Sequence, residues 1–370
     1  MGDKMNKRNS NMELLRVLAM LMIVAHHIYC HCINIQLTDI RADGLFYSPM
    51  VSERLAVLAL ISPMGQIGNA VFILISGYFM ANKGSDIDLA RTAKKLLLQL
   101  GFAAVVISIA SIVTYNNVTG HAVTLVDFNS FNSMSWFVGY YFLIILFAKL
   151  FLNRFLDKLD RKGYAAFLIV LFALISFFWS RSVMANLAMG IEIIFTGVFL
   201  YSLGGFIRKY NPFGKIRVWV LVAIIVVINA VIYGNYYVAA VNNIQEFYAQ
   251  GEEIFIHTIP LYSDYQFVPI ALGIVLFELF RRMKLPNSRV INYLGAATFM
   301  VYLTHDNEFV YSLWNFQDWI APLHNDMGRF IGTYFIWLLG TFAAGVLIYT
   351  LYVLAGKLCG LCKPLVFKKN

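Results

Sequence analysis

Charge is scarce in this sequence. Of its 370 residues only 13% are Asp, Glu, Lys or Arg, about half of what a soluble domain uses to cover its surface. That shortage excludes a soluble two-domain enzyme, and a mean hydropathy of +0.69 excludes it from the apolar side. Cysteine is scarce too. The four present are too few and too badly spaced for a disulfide framework: Cys30 and Cys32 lie two apart on one helix and point different ways. Cys359 and Cys362 form a lone CxxC with no second Cys or His pair to complete a metal site. There is no internal repeat and no low-complexity segment. Apolar runs such as "VWVLVAIIVVINAVIY" do not alternate with polar residues, which excludes a transmembrane β-barrel. There is no GxSxG elbow and no HxxxxD, so neither a serine acyl-enzyme nor a glycerolipid-type acyltransferase gains support.

What the sequence has is oily runs of about 20 residues, each long enough to cross about 30 Å of hydrocarbon as a helix. They predict an all-α, polytopic integral membrane bundle of about ten helices, near 12–33, 57–80, 93–115, 133–152, 164–180, 186–207, 217–237, 263–281, 289–311 and 329–356, in a single domain over 1–370. The connections test this threading. With the N-terminus in the cytoplasm, 24 of the 29 Lys and Arg residues fall on the inner side. The outer side receives only Arg41, Arg54, Arg181 and Arg329, and Arg16 lies inside the first run. Such asymmetry is the positive-inside rule, and it predicts that both termini are cytoplasmic. The net charge of +9 is then a consequence of topology, so nucleic acid is not expected as a partner. Lys4, Lys7 and Arg8 precede the first run as in a signal peptide, but no small-x-small site comes after it, which predicts a retained helix.

The first run, "MELLRVLAMLMIVAHHIYCH", carries Arg16, His26, His27 and His31, residues that hydrocarbon rejects. Eleven residues separate Arg16 from His27, which is three turns plus about 20°, so both lie on one face, with Cα atoms roughly 16 Å apart. The pair reads as an anion site near the inner boundary with a titratable group deeper in the membrane. The plainer reading is that Arg16 snorkels to headgroups and that the histidines bond a neighbouring helix. His27 and His31 have i, i+4 spacing, but there is neither an HExxH pattern nor a third ligand, so no metal is expected. Glu192 stands in "AMGIEIIFTGVF" without a local basic partner, which points to a cavity or to a distant pairing. Glu278 is followed at i+3 and i+4 by Arg281 and Arg282, which predicts local ion pairs.

Arg16-x10-His27 preceded by "NSNMEL", "FILISGYF" (Phe72 to Phe79), "RTAKK" (Arg91 to Lys95), "SWFVGYY" (Ser135 to Tyr141) and "MVYLTH" (Met300 to His305) together resemble the acyltransferase 3 family of membrane O-acyltransferases. The landmarks run in the expected order along essentially the whole chain. The resemblance implies a bacterial inner-membrane enzyme that takes acetyl from cytoplasmic acetyl-CoA and places it on a hydroxyl of a surface polysaccharide or related glycan. It implies His27 as general base, suited to that work by an ordinary imidazole pKa near neutrality, with Arg16 orienting donor or base. Arg16, Arg91, Lys94 and Lys95 are the cations it implies for the phosphates of coenzyme A. Here the sequence departs from the family, because the usual Arg-x2-Arg reads Arg91-x2-Lys94; lysine keeps the charge but loses the planar fork, so Arg91 is expected to be the stronger phosphate ligand.

Tyr302, or the turn Ser76-Gly77-Tyr78, is a candidate to stabilise the oxyanion, and Gly77 equally allows close helix packing. Trp136, Glu192 and His305 are candidates to meet the acceptor, although Trp136 also fits an interfacial anchor. Some relatives carry an extracellular esterase-like domain. None is expected here, so the membrane domain or a separate partner would finish the transfer, and a homo-oligomer is compatible with the sequence. From another class, a transporter or flippase would use His27, Arg16 and Glu192 to line a path, but no pair of Gly/Pro-broken helices in matching halves supports it. A catalytically dead scaffold is disfavoured by the intact Arg16 and His27.

Overall fold

A computed structural model of the chain describes residues 9–40, 50–83, 86–118, 123–126, 136–175, 191–242 and 267–358. All of its regular structure is helical, with no strand among the described residues. In chain order the helices are α1 (Ser10–Ile28), α2 (Asn34–Ile40), α3 (Met50–Ala59), α4 (Met64–Met80), α5 (Leu89–Asn117), α6 (Trp136–Phe147), α7 (Asn153–Lys158) and α8 (Arg161–Ala173). They continue with α9 (Ile191–Tyr210), α10 (Val218–Asn242), α11 (Phe267–Arg282), α12 (Arg289–His305), α13 (Glu308–Asn315), α14 (Ile320–Asn325) and α15 (Met327–Leu358). Among the described residues six helical stretches are long and apolar enough to cross a membrane: Ser10–Leu37, Glu53–Lys83, Leu89–Asn117, Trp136–Lys158, Val218–Val238 and Met327–Leu358. The chain is a multi-pass membrane protein.

Polar residues in the connections set where helices begin and end. Asn9 caps α1 by accepting from the Asn11 N–H at 3.0 Å, and Asp88 caps α5 by accepting from the Arg91 N–H at 2.9 Å, each satisfying a donor that has no partner within its helix. The first run does not stop at Ile28. A π turn over Tyr29–Ile33 joins α1 to α2, and one extra residue per turn there rotates α2 relative to α1.

Two expected spans are interrupted. The run 57–80 divides at 60–63, where Pro63 lacks an N–H and clashes with a preceding turn. The run 289–311 ends at His305, because Asn307 serves both sides of a break: its amide donates to the Thr304 carbonyl at 3.0 Å, and its oxygen accepts from the Val310 N–H at 3.1 Å to start α13.

The bundle is organised around α4, which packs against α1, α9 and α11, while α1 also meets α12 and α15. Small residues permit this closeness. A Cβ at Gly77 would overlap the Tyr201 carbonyl oxygen of α9, so that crossing requires glycine. At the start of α1, Asn11 bonds both the Met283 carbonyl and the Leu285 N–H. Ser10 accepts from the Ser288 N–H at 2.9 Å, so "NSN" stitches α1 to the connection before α12. Glu278 is buried and receives Arg281 at 2.7 Å and Arg282 at 2.6 Å, the local pairing expected from its spacing. Arg282 reaches on to the carbonyls of Phe213 and Ile216 and so ties α11 to the connection between α9 and α10.

Candidate active site

On α1, positions 16, 20, 23 and 27 fall at i, i+4, i+7 and i+11 and form one stripe. The first three, Arg16, Met20 and Ile23, line a cavity of about 170 Å³ between α1, α4, α5, α6 and α12. The opposite wall is a stripe of α12 that runs through Gly295, Thr298 and Tyr302. His305 lies next along it, one turn beyond Tyr302, as His27 lies one turn beyond Ile23. The two stripes converge there. His27 Nδ1 and His305 Nε2 are 3.0 Å apart, a hydrogen bond between residues 278 positions apart in sequence.

The cavity lining is not uniform. Arg16 and Lys95 supply charge at one end, with Arg16 also held by Glu13 at 2.9 Å. Its middle is apolar, with Phe72, Phe137 and Phe299, but carries the hydroxyls of Ser76, Tyr141 and Tyr302. Ser76 donates to the Phe72 carbonyl at 2.9 Å and lies 3.4 Å from the Tyr141 hydroxyl. The Tyr302 oxygen accepts from the Phe137 N–H at 3.3 Å, which fixes the phenol against the first turn of α6.

Around His27 and His305, one turn beyond the Ile23 and Tyr302 of the lining, polar groups gather under cover. His305 is fully buried, and its Nδ1 bonds the Val301 carbonyl at 2.8 Å. Asp306 brings a carboxylate oxygen to 3.6 Å from His27 Nδ1, and that carboxylate accepts from the Tyr311 hydroxyl. Within the π turn, His31 stacks on the Tyr311 ring at 4.0 Å and stands 5.5 Å from His27. His26, on another face, packs beside Cys30 and Gly65. The His27 side chain keeps 16% of its surface accessible, whereas His305 has none. Among the described residues no group of three His, Cys, Asp or Glu side chains gathers as a metal site.

The structure therefore brings Arg16, Ser76, Lys95 and Tyr302 to one cavity and pairs His27 with His305 one helical turn beyond the Ile23 and Tyr302 that line it. Other residues singled out in the sequence stand elsewhere. Arg91 and Lys94 are exposed on the first turns of α5 and do not line the cavity. The Tyr78 hydroxyl accepts from Arg208 at 3.2 Å, with that guanidinium over its ring. Trp136 is 44% exposed and touches Phe137 and Tyr140. The Glu192 side chain, Cys359 and Cys362 lie outside the described residues.

Tyr141 and Phe137 are cavity residues that sequence patterning does not single out. Their i, i+4 spacing puts them on one face, but α6 is oily all round, so nothing in it separates that face from Trp136. Asp306 and Tyr311 escape sequence patterning as well, because a helix expected through residue 311 hides the break that turns them inward.

Comparison with curated proteins and with solved structures finds no match. Comparison with protein families does: residues 9–354 match the acyltransferase 3 family, described as an acyltransferase domain. The match takes in the stripe of α1, the cavity and the break after α12. On that match over nearly its whole length, the chain belongs to the acyltransferase 3 family and is a membrane acyltransferase.

Proposed function

We propose that this acyltransferase moves acetyl from cytoplasmic acetyl-CoA to a hydroxyl of a cell-surface polysaccharide or related glycan in the bacterial inner membrane. What supports this reading is the cavity that holds Arg16 and Lys95 together with the hydroxyls of Ser76, Tyr141 and Tyr302, with the His27–His305 pair one helical turn beyond the Ile23 and Tyr302 of its lining. Coenzyme A is a phosphorylated head on a long narrow arm that ends in the thioester. A cationic end suits the phosphates, and Arg16 can hold one with two parallel bonds. Arg91 and Lys94, exposed on the helix that carries Lys95, add to the attraction before binding. An apolar middle with few hydroxyls suits the arm and the thioester carbonyl, where Tyr302, Tyr141 and Ser76 are the donors available. In this reading ten helices cross the membrane in one domain and both termini are cytoplasmic, which puts the cationic end on the side where coenzyme A is found.

In the reaction the acceptor hydroxyl attacks the thioester carbonyl while His27 Nε2 takes its proton. The new C–O bond forms, the C–S bond breaks, and His27 returns the proton to the departing sulfur, releasing coenzyme A as the free thiol. The Asp306 carboxylate favours the imidazolium that exists between these steps. The test uses the full chain in lipid nanodiscs with radiolabelled acetyl-CoA and a mixture of surface glycans. Wild type is expected to label glycan and release thiol, and His27→Ala to lose about a thousandfold in rate while still binding coenzyme A. If wild type never consumes acetyl-CoA, and instead carries glycan or protons across the bilayer in a His27-dependent way, a transporter replaces this reading.

A further inference from the structure

We propose that His305 is a positioning residue that holds His27 in one tautomer, with the proton on Nδ1 and the lone pair on Nε2. The proposal rests on the reading of His27 as the base. It comes from which atoms are able to donate. The Val301 carbonyl oxygen can only accept, so His305 Nδ1, at 2.8 Å from it, carries a hydrogen. A neutral His305 then has its lone pair on Nε2. The atom 3.0 Å from that lone pair is His27 Nδ1, which must therefore be the donor. That leaves His27 Nε2 without a proton in the resting state, which is the condition a general base needs.

Burial makes the selection effective. No water competes for His305 Nε2, because His305 has no accessible surface. Its ring is held by Tyr302 on one side and Trp314 on another, at centroid distances of 6.0 and 6.4 Å. The tautomer imposed here is the one that imidazole side chains disfavour in water, so without His305 the base would revert towards protonation on Nε2. No proton passes to His305 during the reaction. Its Nδ1–H stays on Val301, His27 keeps its Nδ1–H throughout, and only His27 Nε2 gains and loses the proton of the acceptor hydroxyl. The Asp306 oxygen, 3.6 Å from the same Nδ1, lies beyond hydrogen-bond range and contributes field, leaving His305 as the acceptor that fixes the tautomer.

Three substitutions separate this role from simple packing. In His305→Gln the side-chain carbonyl reaches where Nε2 was and still accepts from His27. In His305→Asn the side chain ends where Nδ1 was, so it can serve Val301 but leaves His27 Nδ1 without an acceptor. His305→Ala removes both. Assayed as full-length protein in nanodiscs with acetyl-CoA, Asn and Ala are expected to lower kcat about 100-fold, since a wrongly protonated catalytic histidine is the penalty seen when its orienting partner is lost. Gln is expected to return to within about tenfold of wild type, with KM for acetyl-CoA unchanged in all three.

Solid-state NMR of 15N-histidine-labelled protein, with His27 assigned by its disappearance in His27→Gln, reads the tautomer without any turnover. Wild type and His305→Gln should show His27 protonated at Nδ1 and bare at Nε2, and His305→Asn should show Nε2 protonation. Wild-type protein with His27 protonated at Nε2 overturns the proposal, as does equal loss of kcat in Gln and Asn. If the NMR result is as expected but no variant, wild type included, transfers acetyl, then the acetyl-transfer reading has failed while the tautomer assignment stands.

Discussion

The α1 stretch and α10 are both oily helices of membrane-spanning length, yet they live in different solvents. Half of the residues in the spanning window of Ser10–Leu37 are buried inside the protein, against 11% in Val218–Val238. The outward face of α10 carries Val222, Val226, Val227 and Val231, all exposed, and no ionisable residue other than tyrosine occurs in the helix. α1 carries Arg16 and, with the π turn beyond it, three histidines, and it packs against α4, α12 and α15. In a bilayer, lipid tails solvate valine as well as another helix does, so apolar side chains do not draw helices together. Close packing and polar groups do, and a polar group at depth costs enough that it faces protein or a cavity. The less oily helix is therefore the inner one, and the polar residues that dilute its hydrophobicity also mark the site.

The comparison is tested hardest where an inner polar group holds charge of the opposite sign. Glu278 is buried against two guanidinium groups, so Glu278→Gln leaves Arg281 and Arg282 without their counter-ion. A loss of about 3–5 kcal/mol is expected, read as a large drop in melting temperature in nanodiscs. A negligible drop would mean that water or lipid phosphate reaches these arginines and compensates for the lost carboxylate.

Glycines offer the next contrast. Gly77→Ala places a methyl group against the Tyr201 carbonyl and is expected to cost about 1–3 kcal/mol through overpacking. Gly234→Ala, on α10, meets nothing within 4 Å and is expected to be neutral or slightly stabilising, since alanine is the better helix former. Equal melting temperatures for the two variants would remove the distinction between an α4–α9 crossing that requires glycine and a lipid-facing helix that does not.

Much of this inner and outer division is legible in the sequence alone. Arg16 and His27 share a face because helical geometry fixes it, and the Glu278 pairs come from i+3 and i+4 spacing. Gly77 is legible as a packing glycine, although only the fold supplies Tyr201 as its partner. His305 as the partner of His27 is not legible, because nothing local relates residues 278 apart. Nor does sequence choose Lys95 over Arg91 and Lys94 as the lysine or arginine of α5 that lines the cavity. Three cations within five residues satisfy the positive-inside rule equally well, and their different directions are set by how α5 rests against its neighbours in the bundle. The break at Asp306 and Asn307 is hidden for a related reason: apolar residues resume at Phe309, so hydropathy reads straight through a cap that only its hydrogen bonds reveal.

A smaller effect tests the cationic end of the cavity. Lys95→Ala is expected to raise KM for acetyl-CoA about tenfold with kcat little changed, the signature of lost ground-state binding. Lys94→Ala, which leaves the cavity lining intact, should change KM less than about twofold. Raised ionic strength should weaken binding to wild type more than to Lys95→Ala, because the screened charge is already missing in the variant. If Lys94→Ala and Lys95→Ala behave alike, the phosphates are gathered by the general basic surface of α5, and the cavity's cationic end reduces to Arg16.

The smallest expected effect concerns the outer face of α10. Val226→Leu adds one methylene to a side chain that is 60% exposed. If lipid is its neighbour, stability should change by less than about 0.5 kcal/mol and turnover should not change, because tails rearrange around a methylene as protein interiors do not. The same substitution becomes informative if it fails to be silent. A clear loss of stability at Val226, repeated at Val231 on the same helix, would mean that this face packs against something less yielding than lipid. A second copy of the chain is then the first candidate, and the distinction drawn between α1 and α10 would hold for the single chain but not for its assembled form.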